Sequence, residues 1–252
     1  MSTSNNGIVV MPTTPKFVSS DWSLVRTIGA TVSPFTGHHR TQEFSNVYWT
    51  ASVTLPPMTR TQSLEWQTFL SECKGPINSF LFADPDHETN SGTFDGTVLK
   101  AENRINDTNV TLTFSSNSIT AGTAIFGSAI VGDYIHVTGA TNEINNGTHK
   151  ISSITSNSIV VVATDLTSES STASCKVRQN VAGAEALSLN KTSGSHTGTI
   201  KKGDYLALHS GINSNHKPFQ LVMCMEDVTF NGEDASVKIQ PRLRQDLASN
   251  FR

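Results

Sequence analysis

The chain has 252 residues, enough for one large β domain or two smaller domains with buried cores of their own. Charged residues make up only 15% of it and 18 Lys and Arg stand against 21 Asp and Glu, so the net charge of -3 lacks the basic footprint of a protein that grips phosphates. The apolar runs, such as SIVVVA at 158–163, fall far short of the roughly 20 residues of a membrane span, and no basic flank precedes an apolar core at the N-terminus, so the expectation is a soluble protein without an export signal.

Ser, Thr, Asn and Gly are abundant, the profile of many turns and of strands wet on one side, which favours an all-β class. Cys73, Cys175 and Cys224 are an odd, widely spaced set and read as free thiols. The Asn-x-Thr triplets at Asn106, Asn109, Asn146 and Asn190 read as polar loop residues.

In chain order, residues 1–16 mix polar residues, short apolar fragments and prolines, and are expected to form an arm that is mobile or ordered only by a neighbour. From Ser23 to Pro57 the pattern is strand, turn, strand. Pro34 and Gly37 mark the turn, and Val47, Trp49, Ala51, Val53 and Leu55 are expected to share a buried face opposite Tyr48, Thr50, Ser52 and Thr54.

A helix is predicted over residues 60–74. Thr59 and Gln62 form a capping box, Pro56 and Pro57 stop the preceding strand, and Gly75 supplies a left-handed cap. Trp66, Phe69, Leu70 and Cys73 then form its apolar face, covering a sheet, and a strand NSFLFAD follows directly.

From Thr93 onward short β runs alternate with Gly, Asn and Ser clusters, which suits a small barrel or sandwich. VGDYIHV at 131–137 is echoed 71 residues later by KGDYLAL at 202–208, so two similar β units are expected, each Gly-Asp making a tight turn that launches a strand. The final alternating run ends at Pro241, with Arg242 and Arg244 beyond it in a surface loop.

Chemistry is sparse. Asp84, Asp86, His87 and Glu88 could serve a hard cation such as calcium, but Asp-Pro-Asp is also an ordinary turn and the spacing of a calcium loop is missing. His38 and His39 are adjacent in a turn and point to opposite sides, a poor chelating pair. His136, His149, His196, His209 and His216 are scattered. GSHTG at 194–198 has His where a nucleophile elbow needs Ser, and neither a phosphate loop nor a dinucleotide fingerprint occurs. Trp49 and Trp66 could stack on a sugar, although their apolar faces favour core packing. No catalytic, cofactor or metal residue is nominated, and the protein is not expected to be an enzyme.

SPFTG at 33–37, VYW at 47–49, VTLPPMTR at 53–60, EWQTFL at 65–70, KGP at 74–76 and FLFADP at 80–85 together resemble a family of tail proteins of long-tailed bacteriophages, most closely the distal tail proteins. IKKGDYLAL at 200–208 and VKIQPRLR at 237–244 resemble that family's closing strands. The middle, about 95–195, is less typical and is similar to a small β module inserted in several phage tail proteins.

The resemblance implies a mainly β structural protein of the virion, with a β-sandwich or barrel tail domain over 17–96 and 178–252, a buttressing helix, and an inserted barrel or sandwich over 97–177 that should be removable as a module. It further implies a homo-oligomeric, hexameric ring at the tail tip, with the tail tube protein and baseplate hub as partners and double-stranded DNA as passing cargo. A minor tail protein whose inserted module binds a host glycan is the alternative, and a carbohydrate-active β-sandwich the third reading.

Overall fold

A computed structural model describes residues 8–85, 89–94, 99–191, 196–209, 218–232 and 234–248. The fold is mainly β, with one α-helix among the described residues, a closed six-stranded barrel and several smaller sheets. The chain divides into two compact units, residues 1–89 and 90–252. The segments expected to share one domain, 17–96 and 178–252, therefore fall largely in different units.

The first unit contains β1 (Ile8–Val9), β2 (Ser19–Val32), β3 (His39–Thr54), α1 (Arg60–Cys73) and β4 (Ser79–Phe80). Its helix has the predicted capping box. The Thr59 side chain accepts from the Gln62 N–H at 3.4 Å, and the Thr59 N–H donates to Gln62 Oε1 at 2.9 Å. The helix ends at Cys73, with Lys74 itself left-handed at φ 49° and Gly75 following at φ 66°.

Trp66, Phe69 and Cys73 are buried as expected, but Leu70 is exposed. At 100° per residue Leu70 lies about 65° beyond the centre of the face the other three define, on the flank away from Phe69. Residues 8–16, expected within the arm, are seated against the helix. Val9 is buried beside Trp66, Phe69 and Cys73, β1 pairs in parallel with β4, and the Trp66 indole N–H donates to the Thr14 carbonyl at 3.2 Å. The strand expected over NSFLFAD shrinks to Ser79–Phe80, and Phe82 instead stacks on Trp22 with ring centroids 5.3 Å apart.

The second unit opens with β5 (Leu99–Ala101) and then builds the barrel from β6 (Asn106–Ser115), β7 (Ser118–Ala121), β8 (Tyr134–Thr138), β9 (Gly147–Ser156), β10 (Ile159–Val162) and β11 (Glu169–Arg178), in the closed order β10, β7, β6, β11, β8, β9. Its interior is filled by side chains, among them Leu112, Phe114, Ile119, Phe126, Ile135 and Val160, as a barrel this narrow requires. The barrel strands thus begin at Asn106, and β5 within the expected insertion belongs to another sheet.

That sheet has the order β14 (Tyr205–His209), β15 (Pro218–Cys224), β17 (Asp234–Gln240), β12 (Ala186–Lys191), β5, and a second core joins it to the pair β13 (His196–Ile200) and β16 (Val228–Gly232) through Ile200, Val222, Phe230 and Val237.

The echoed Gly-Asp-Tyr stretches adopt the same turn. Asp133 and Asp204 each donate their N–H to the carbonyl three residues back, at 3.1 Å, and each carboxylate accepts that residue's N–H in return, at 3.1 and 2.8 Å. Gly132 and Gly203 have φ of 95° and 97°, a region open to glycine, and donate to Ile151 and Cys224 on the neighbouring strands at 2.9 Å. Each turn launches the strand predicted for it.

Candidate functional site

The hairpin β2–β3 pairs strands of 14 and 16 residues with each other and with no further strand among the described residues. Its base has a partial cover, since Trp22, Leu24, Val47 and Trp49 are half-buried. The distal half does not. Ile28, Ala30 and Val32 alternate onto one exposed face, Phe44 and Tyr48 are exposed, and Phe35 at the turn is 96% accessible.

Ala51 and Val53, expected to share the buried face with Val47 and Trp49, are exposed as well. Long alternation written in β-branched residues thus produced a hairpin whose distal half has an apolar side without a layer over it among the described residues. A two-stranded ribbon of this length gains little stability by itself, and in its distal half both edges lack a strand partner among the described residues and can offer backbone donors and acceptors to another chain.

Among the described residues, the other polar residues weighed above do not assemble into a reactive centre. Asp84 is buried and accepts from the Ser20 hydroxyl at 3.3 Å, while Asp86, His87 and Glu88 lie outside the described residues. Among the described residues no three of His, Cys, Asp and Glu gather as metal ligands. His38 and His39 are exposed at the hairpin turn, His196 and His209 lie on β13 and β14, and His216 falls outside the described residues, as do the first two residues of GSHTG. Trp66 is buried and so offers no open ring face of the kind a sugar platform needs, and Trp49 is half-buried. The three cysteines are free and buried. Burial and then the charge of Asp204 push the Cys224 thiol up to about 12, and burial likewise raises Cys175, which keeps both as unreactive thiols at neutral pH.

The densest polar chemistry lies where the barrel meets the five-stranded sheet. Arg104 grips both oxygens of the fully buried Asp133 carboxylate, with Nε to Oδ2 at 3.1 Å and Nη2 to Oδ1. Ser236 on β17 donates to the same carboxylate at 2.7 Å, and Asp234 approaches Arg104 Nη1 at 3.3 Å. Beside this, Glu226 accepts from the Tyr134 hydroxyl at 2.7 Å and from Lys150 Nζ at 2.9 Å. Burial, reinforced by the hydrogen bond to Glu226 and its charge, holds the Tyr134 phenol well above its usual range. Burial pushes the Glu226 carboxyl up, but the bonds from Lys150 and Tyr134 outweigh it and leave it below the usual value.

The sequence pointed to Asp133 only as a turn residue. Its second role, as the counter-ion of Arg104 between two sheets, carries no local signal.

Neither the protein-family models nor the curated proteins compared with this sequence include a match.

Proposed function

We propose that the protein is a virion structural protein of the tail tip of a long-tailed bacteriophage, whose copies join through the hairpin into a ring between the tail tube and the baseplate hub. The observation that supports this reading is the distal half of β2–β3, a ribbon with open edges and exposed Ile28, Val32, Phe35, Phe44 and Tyr48. The β2 edge of one copy is chemically suited to the β3 edge of the next, and a head-to-tail contact of that kind closes into a ring when the rotation between copies divides a full turn. Six copies, and DNA as cargo passing through, are what the sequence resemblance implies. The net charge of -3 accords with a channel that passes phosphate without holding it.

The test is the mass of the purified protein in solution, alone and with tail tubes present, followed by negative-stain imaging. Closed rings of six are expected. A monomer that persists with tubes present overturns the ring reading and moves weight to a minor tail protein.

A further inference from the structure

We infer that the seam between the barrel and the five-stranded sheet is an acid-sensitive latch, closed while His136 is neutral and loosened when it gains a proton. His136 stands on β8, between β11 and β9 of the closed barrel, where its Nδ1 is 3.1 Å from Thr148 Oγ1 on β9. That same hydroxyl accepts the N–H of Glu185 at 3.2 Å, so one threonine ties the histidine to the segment leading into β12. A methyl group placed on Gly183 of that segment would come 3.9 Å from the other ring nitrogen, and Gly183 donates to the Leu243 carbonyl at 2.8 Å, while Leu243 and Leu247 donate to Ala184 and Asn180 at 3.0 and 2.8 Å. The half-buried imidazole is thus linked through Thr148 to a strap of residues 180–185 and 241–247.

The charges facing it are unbalanced. Arg178 on β11 is its direct partner across the β8–β11 ladder, and Arg242 approaches from the chain's last segment. Among the described residues, Glu185 is the carboxylate that acts on it, and it is engaged by Arg242 Nε at 2.9 Å, just as Asp246 is engaged by Arg178 at 3.1 Å. His149, buried in the barrel on β9, adds a further group of the same sign when protonated. A proton on His136 thus places a third cation between two arginines whose counter-ions are already paired.

Burial first, then His149, Arg178 and Arg242, lower the affinity of His136 for a proton, with Glu185 opposing them. With the strap lifted the ring returns toward its ordinary pKa of about 6.5, so the open form binds the proton more readily than the closed one. The latch is fully closed above that value and weakens as pH falls below it toward the lowered value of the closed form. His149 also titrates low, chiefly through burial, but its Nε2 faces the Asn145 carbonyl at 3.0 Å and its protonation strains the barrel interior instead.

Amide hydrogen exchange on the full chain separates the two. Between pH 7.5 and 5.5, after correction for intrinsic exchange rates, protection at Gly183, Glu185, Leu243 and Leu247 is expected to fall by up to about tenfold, because pH 5.5 lies one unit below the ordinary value of about 6.5 that the ring has with the strap open. Protection at Val160 in the barrel and Leu187 in the sheet should fall less. His136→Gln should abolish the fall at the strap, and His149→Gln should leave it. Arg242→Gln, which removes one opposed cation and frees Glu185, should shrink it and provides a second reading if His136→Gln does not fold. An unchanged fall in His136→Gln or in Arg242→Gln, a loss of the effect in His149→Gln, or no fall in the wild-type strap overturns the latch.

Discussion

Asp133 and Asp204 show how far one residue's role is written locally. Both close the same turn with their own N–H and one carboxylate oxygen, and the Gly-Asp-Tyr echo made that turn readable from sequence alone. The other oxygen is spent differently. Asp204 accepts the Ser91 N–H at 2.7 Å, whereas the second oxygen of Asp133 accepts from Arg104 Nη2 and the Ser236 hydroxyl, partners 29 and 103 residues away in the chain that no spacing rule connects. A buried, bidentate pair costs most when one partner is removed, since the other charge remains without water. Asp133→Ala is accordingly expected to destabilise the protein by roughly 3–5 kcal/mol, several times the loss from a typical surface pair. Chemical denaturation reads this directly, and a change under 1 kcal/mol would mean that Arg104 reaches solvent in the variant.

At the scale of elements, the helix was the most legible part because its signals are contiguous: Pro56 and Pro57 before it, Thr59 and Gln62 at its start, Gly75 after it. Thr59→Ala removes the acceptor of the Gln62 N–H and should cost about 1 kcal/mol, seen as a lower melting temperature with the native fold retained. The hairpin was legible as two strands and a turn, but its burial was not. Alternation in VYWTASV reports which residues share a side, and only the tertiary layer decides whether that side is dry, so Val47 and Trp49 are half covered while Ala51 and Val53 are exposed. This exposure makes a sharp prediction. Replacing Ile28 and Val32 with Lys adds charge at two positions that are exposed among the described residues, so the melting temperature of the isolated subunit should stay within a degree or two of wild type. The same variant should fail to assemble; rings of normal yield would show that the ribbon's distal face is not the contact.

Across the whole molecule, the expectation that residues 97–177 form a removable module meets the chemistry at the barrel's end. The barrel itself is closed and carries its own core, which argues for independence. Its attachment argues the other way. Removing residues 106–178 would delete Asp133, Tyr134, Thr148 and Lys150, leaving Arg104, Ser236, the Glu226 carboxylate and the Glu185 N–H without those partners. Several of these groups are shielded by the barrel, and each buried polar group stripped of its bond costs about 1–3 kcal/mol, more for a charge, which is of the order of a domain's whole stability. The excised chain, bridged from Ile105 to Gln179, is therefore expected to lose its cooperative melting transition, and the intact chain to unfold its barrel and five-stranded sheet together in calorimetry. Changing Arg104 to Met in the excised chain removes the stranded charge and should restore part of the transition, because an apolar side chain of similar length leaves nothing to desolvate. An excised chain that melts like the intact sheet without this repair would show that water satisfies the exposed groups and that barrel and sheet are separable bodies.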